Sequence, residues 1–241
     1  GNTVRASGFS VGRQVAIAEN WRLGAGAGFN MSTSSGAGVS SDGYGIHAGG
    51  VLKYTRDAWL ASAAVTGPYT WGEASRVVPL PGASAQSDQK AAGISARLRM
   101  AHAFDFGGVF AIPTLDLDMS WIHDFGYTER GAGSFGLAVD AHDMFLADLH
   151  PQLRLGTDIR FDGDLVVRPY LEAGLAIALD GEHRMNQSFT TGALAGTKFS
   201  VATDRERVRG TVTAGLSVLQ GERFEAKLRY NGSFGRESRS H

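Results

Sequence analysis

The sequence has no cysteine, which excludes a disulfide framework. The absence suits a chain that crosses an oxidising periplasm, although many soluble proteins share it. No run approaches the roughly 18 consecutive apolar residues of a helical membrane span. That leaves a membrane barrel open, because in a barrel only alternate residues meet lipid and mean hydropathy stays near zero. A net charge of -1 gives no support to a nucleic-acid partner. Neither an initiator methionine nor a signal peptide stands at Gly1, as expected of a processed or excised piece. What the 241 residues hold in quantity is glycine, 33 of them, and alternation. The length suits one large all-β domain.

About ten extended segments, most of them about 10–16 residues long, follow the period of two that marks a strand. The gaps between them go tight, long, tight, long. The tight ones are Glu19-Asn20, Arg56-Asp57, Phe104 to Gly108, Asp162-Gly163 and Gly221. The long ones run from Ser32 to Asp42, Gly72 to Gln89, Thr128 to Asp143 and Gly181 to Arg207. An up-and-down antiparallel transmembrane β-barrel in a bacterial outer membrane has this form, with short periplasmic turns and long extracellular loops.

Parity is clearest between Leu165 and Leu179. Leu165, Val167, Pro169, Leu171, Ala173, Leu175, Ile177 and Leu179 share one face; Arg168, Tyr170, Glu172 and Gly174 share the other. A slip of one residue would reverse every side chain, so the register is strongly specified. The same opposition sets Leu98 and Met100 against Arg97 and Arg99, and Leu115 and Leu117 against Asp116 and Asp118. It sets Leu153 and Leu155 against Arg154 and Asp158, Val212 and Leu216 against Arg209, and Leu228 and Tyr230 against Lys227 and Arg229. The first half is weaker. There Trp21 to Met31 alternate with Arg22, Gly24, Gly26, Gly28 and Asn30, and Leu60 blurs the strand that starts at Trp59. In the opening stretch Arg13 falls on the apolar face, where mid-bilayer lipid would cost it about 2–4 kcal/mol. A bulge there, or a headgroup near Arg13, is therefore expected.

A soluble sandwich turns its apolar face inward, whereas a membrane barrel turns it outward around a wet lumen. Three features favour the barrel. The strands are about twice the soluble mode of 5–6 residues. Their length matches the roughly 9–11 tilted residues that cross a bilayer, with overhang. Large aromatics, among them Trp21, Tyr44, Tyr54, Trp59, Trp71, Trp121 and Tyr127, stand near strand ends, as interfacial girdles require. The gap order also places both chain ends, the second near Arg236, on the extracellular side. Adding one strand at each end would give twelve.

The stretch Pro113-Thr-Leu-Asp-Leu-Asp-Met-Ser-Trp121, followed by Phe125-Gly-Tyr127-Thr-Glu129-Arg-Gly131, resembles the β-domain of classical (type V) autotransporters. It is similar to that family's proline-led strand running into a Tyr-x-Glu-x-Gly loop. Gly8…Gly12, Trp21 to Phe29, Arg209 to Leu216 and Lys227 to Gly232 resemble further strands of the family. Gln14 stands where the family often has Asp, and its Phe-terminated last strand does not follow His241. The resemblance implies a twelve-stranded outer-membrane translocator for its own N-terminal passenger, monomeric and inserted by the barrel-assembly machinery. Residues 1–241 would be that domain without its first and last strand. A passive porin-like or adhesin barrel is the alternative.

The inward charges Arg97, Arg99, Asp116, Asp118, Arg154, Asp158, Arg168, Glu172, Arg209, Lys227 and Arg229 are of mixed sign. They suit either ion-pair ladders in a wet lumen or a grip on a threaded helix. Inward glycines leave room for another backbone, or relieve crowding where the sheet curves. The Gly-x-Gly-x-Gly run lacks the strand–turn–helix context of a dinucleotide fingerprint. The seven histidines show no metal-ligand spacing, and His123-Asp124 and His142-Asp143 are neighbours that point to opposite faces. No catalytic, cofactor or metal residues are assigned, and an enzyme of the omptin or phospholipase kind is not expected.

Because the chain lacks cysteine, lipid contact of the Leu165–Leu179 face can be read by single-site labelling. Leu171→Cys and Leu175→Cys should resist a polar maleimide and react with a lipid-soluble one; free labelling of both in water would reverse the inside-out assignment.

Overall fold

The computed structural model describes residues 3–79, 83–161, 165–181, 183–203, 205–220, 224–235 and 239–240. In chain order the strands begin with β1 (Thr3–Ala18), β2 (Trp21–Gly36), β3 (Val39–Arg56), β4 (Trp59–Val77) and β5 (Ser84–His102). There follow β6 (Phe104–Asp105), β7 (Val109–Asp124), β8 (Tyr127–Thr128), β9 (Leu137–Val139), β10 (His142–Thr157) and β11 (Ile159–Phe161). The rest are β12 (Leu165–Ala178), β13 (His183–Phe189), β14 (Lys198–Thr203), β15 (Val208–Gln220), β16 (Phe224–Phe234) and β17 (Arg239–Ser240). Among the described residues these form two sheets. The larger runs β1-β2-β3-β4-β5-β7-β10-β12-β15-β16-β17, with β6 on β7 and β11 on β12. Every neighbouring pair is antiparallel and the long strands follow one another in chain order, which is the up-and-down order. This sheet curls as a half-barrel. The smaller, β14-β13-β9-β8, is built from the long connections at one end.

The structure corrects the expected gaps. Ser32 to Asp42 is not a long loop: β2 continues to Gly36, β3 starts at Val39, and only Ala37 and Gly38 turn the chain. Both turn residues have positive φ, 51° and 79°, as the tight turns favoured in hairpins require. Between Gly72 and Gln89, β4 likewise continues to Val77 and β5 starts at Ser84, so each has 19 residues. The strands outrun the expected lengths because their Ser-, Gly- and Ala-rich ends carry no hydropathy alternation. The tight gaps Asp162-Gly163 and Gly221, and the strand end near Arg236, lie outside the described residues. Arg13 sits in regular register opposite Ala25, and the irregularity of β1 falls further on, between Ala16 and Ala18. The expected bulge is therefore displaced from Arg13 to the Ala16–Ala18 stretch.

Exposure follows the inside-out arrangement. Leu171 is 53 % and Leu175 43 % exposed, whereas Asp116 on the opposite face of the sheet is 2 % exposed. Two aromatic rows band the apolar face. Phe9, Phe29, Tyr44 and Trp71 run across β1–β4 with ring centroids 6.4, 6.3 and 6.1 Å apart. Toward the tight-turn end, Trp21 lies 4.9 Å from Tyr54, and Trp59, His102 and Phe104 follow at 4.5 and 4.3 Å. From Tyr44 to Tyr54, β3 covers about 33 Å at about 3.3 Å per residue, which a tilt near 40° reduces to about 25 Å of height. That is the height of an outer-membrane apolar band.

Inward glycines occur where backbones press together on the concave side. A Cβ at Gly93 would stand 2.6 Å from the carbonyl oxygen of Trp121, whereas one at Gly67 would meet nothing closer than the Gly93 carbonyl oxygen at 3.8 Å. Gly93→Ala should therefore lower stability by about 1–3 kcal/mol and Gly67→Ala should leave it nearly unchanged, read as denaturant midpoints of the folded band of the full-length protein on a gel. Equal midpoints would remove crowding as the reason for the glycine.

Candidate functional site

Four neighbouring strands, β5, β7, β10 and β12, carry the polar wall. Register sets Arg97 directly opposite Asp118 and Arg99 opposite Asp116. Both pairs are bidentate: Arg97 donates to Asp118 at 2.5 and 2.7 Å, and Arg99 to Asp116 at 2.7 and 2.6 Å. The planar guanidinium fork matches a carboxylate, which makes such pairs the stronger charged contacts. His150 Nε2 stands 3.4 Å from the second Asp118 oxygen. Arg154 faces Glu172 across β10 and β12 and donates to it at 2.8 Å. Arg168 donates to Asp158 at 2.6 and 2.8 Å. Two of these arginines also lie over rings: Arg154 4.6 Å from the Tyr170 centroid, Arg168 5.6 Å from that of Phe110. Tyr170 in turn covers Gly215, where any Cβ would strike its ring.

Of the eleven inward charges, eight are thus gathered into ladder pairs. Lys227 lines a cavity of about 740 Å³ with Arg154, Asp158, Arg160 and Arg168 at the tight-turn end of the wall. Arg209 and Arg229 share the same face on β15 and β16 without an ion pair among the described residues.

The long connections form a second feature, a cap over the opposite end. Glu129 is the pin. Its carboxylate accepts from Arg76 at 3.1 and 2.6 Å and from the Leu137 backbone N–H at 2.9 Å. Arg76 also donates to the Phe135 carbonyl. Arg130 exchanges backbone hydrogen bonds with Gln86, and its guanidinium reaches Asp88 at 2.5 Å. Gly131 has φ +81°, and a Cβ there would stand 2.8 Å from the Ser84 carbonyl oxygen. Val78, Ala85 and Ala132 bury one another beside this knot. Burial raises the Tyr127 phenol above its usual pKa, and the charges of Glu129 and Asp124 raise it further. Pro113 lies apart, deep in β7 opposite Leu153. The Tyr-x-Glu-x-Gly segment is therefore a loop clasp, while the proline-led strand belongs to the wall.

A second clasp ties the returning loop to the rim. Arg205 donates to Asp180 at 2.5 Å and to Asp148 at 3.0 and 2.8 Å, and Asp180 also accepts the Ala147 N–H. Burial alone would lower the Arg205 pKa, but its bonds to both carboxylates raise it above the ordinary value. Sequence reading missed Arg76, Asp148, Asp180, Arg205 and His150. Arg76 and Glu129 are 53 residues apart with no periodic signal joining them. The adjacent His-Asp pairs also resolve differently, since His123 meets Asp143 across β7 and β10 at 2.8 Å.

The buried carboxylate of the wall gives a measurable weight. Asp116→Ala leaves Arg99 without its partner and should cost about 3 kcal/mol, whereas Asp116→Leu with Arg99→Met should recover most of that loss. Denaturant midpoints of the folded band would show it; equal losses in the two variants would mean that the pairing is not the source.

Comparison with known proteins agrees with this geometry. Among solved structures, the translocator domain of the autotransporter NalP from Neisseria meningitidis superposes with a TM-score of 0.74 at 15 % identity, covering 98 % of this chain and 76 % of that one. The β-domain of the Bordetella autotransporter BrkA gives 0.68 at 18 % identity, covering 97 % and 84 %. The transport unit of AIDA-I from Escherichia coli gives 0.54 at 12 %, covering 99 % and 80 %. No curated protein sequence matches the chain. The family model described as the autotransporter β-domain matches residues 1–231. The chain belongs to the autotransporter β-domain family and is an outer-membrane translocator domain for a passenger polypeptide.

Proposed function

We propose that the polar wall lines a wet lumen, through or beside which the passenger leaves the periplasm at the tight-turn end and emerges beneath the loop cap. The observation that carries this reading is the inversion of burial: Asp116 on one face is 2 % exposed while leucines on the other face stand bare. Arg97, Arg99, Asp116, Asp118, Arg154, Asp158, Arg168 and Glu172 keep that wall rigid and hydrated. Arg209, Lys227 and Arg229 extend it onto β15 and β16. The domain itself performs no catalysis in this reading, since the ladder arginines engage the wall carboxylates. It acts as a monomer inserted by the barrel-assembly machinery. Residues 1–241 are read as the barrel short of its first and last strands. Support comes from the sheet edges, since β1 pairs only with β2 and does not meet β16 or β17 among the described residues.

Two measurements test these readings. In cells producing the full-length protein with a passenger stalled in transit, photo-crosslinkers at Ser95 and Ser217, on the polar face, should capture the passenger. Crosslinkers at Leu98 and Leu216, on the apolar face, should capture lipid; the reverse pattern would end the lumen reading. The 241 residues alone should show no heat-modifiable band shift, because each unpaired backbone group left in lipid costs several kcal/mol. One added strand at each end should restore it, and a shift without them would end the closure reading.

A further inference from the structure

The pairing on the wall is lopsided. Asp116, Asp118, Asp158 and Glu172 each hold an arginine. On the same face, toward the tight-turn end, stand cations without an ion pair among the described residues: Arg22, Lys53, Arg160 and Arg229. Arg22 and Lys53 are direct cross-strand partners, an arrangement of like charges that destabilises a sheet and that pairing does not relieve here. Arg160 lines the 740 Å³ cavity at this end together with Arg168 and Lys227, and with two carboxylates, Asp105, which accepts the Gly107 and Gly108 N–H groups, and Asp158, which holds Arg168. The four cations are spread over β2, β3, β11 and β16, near both edges of the half-barrel, rather than clustered on one strand.

We infer that the periplasmic mouth of the lumen carries a cationic ring that makes it anion-selective: it concentrates anionic groups at the entrance and turns cationic ones away. The inference rests on the reading of the polar face as the lumen wall. Rings of arginine and lysine are how pores select anions, and a concave, low-dielectric wall focuses their field. The effect reaches about one Debye length, about 10 Å at 0.1 M salt, so it acts at the mouth and fades toward the cap.

These 241 residues hold no cysteine, which allows a local test in outer membranes carrying the full-length protein with any cysteine outside them replaced by serine. Ser62→Cys places a thiol opposite Lys53 and Arg99. Its rate with a sulfonate-bearing thiol reagent is compared with that of the trimethylammonium counterpart, each scaled to a free small thiol. The anionic reagent should be favoured by about threefold or more at low salt, and the ratio should approach one as salt rises to about 0.5 M. Arg22→Gln with Lys53→Gln should remove most of the preference, and Thr70→Cys, on the same face of β4 near the cap, should show little of it. The salt series uses the intact ring and so does not depend on how that variant folds. Silence of the Ser62→Cys thiol toward both reagents would overturn the lumen reading itself. A reactive thiol at that position with a ratio at or below one, or one indifferent to salt and to ring neutralisation, would overturn the selectivity alone.

Discussion

In the hydrocarbon of a membrane, every backbone N–H and C=O must find its partner within the protein, since water is not there to supply one. The ladder from β1 to β16 does this strand by strand, each long strand pairing with the next in sequence. Once the ladder fixes the register, parity follows, and with it the division between a face that meets lipid and a face that meets water. The arginine–carboxylate pairs depend on the same register: Arg97 and Asp118, or Arg154 and Glu172, meet because they occupy directly opposed positions.

Those pairs do not drive folding as a hydrophobic core does. Opposed charges on a sheet contribute about 0.2–1 kcal/mol each, and removing the ions from water costs much of their attraction. Their value lies in specificity: guanidinium and carboxylate groups held at opposed positions admit only one register. The aromatic rows do complementary work on the outer face, fixing the height at which the sheet sits in the membrane.

The barrel strands were legible in the sequence because membrane crossing imposes a period of two on hydropathy, as in Leu165 to Leu179. The common face of the eight charges that meet in pairs was readable for the same reason. Legibility ended where the strands left the membrane. The Ser32–Asp42 stretch reads as a loop, yet it is paired almost throughout, because a strand wet on both faces has no apolar alternation to display. The clasps were hidden for a related cause. Arg76 meets Glu129, and Arg205 meets Asp148 and Asp180, through the folding of long connections, and no local spacing encodes those meetings.

The small apolar knot of Val78, Ala85 and Ala132 lies where the far end of β5 meets the long connections of the cap. The barrel answers to lipid, which solvates its apolar side from without, whereas the cap answers to water, which drives its few apolar groups together. One polypeptide therefore has two solvents, and a change of lipid acts on the wall where an aqueous denaturant acts first on the cap.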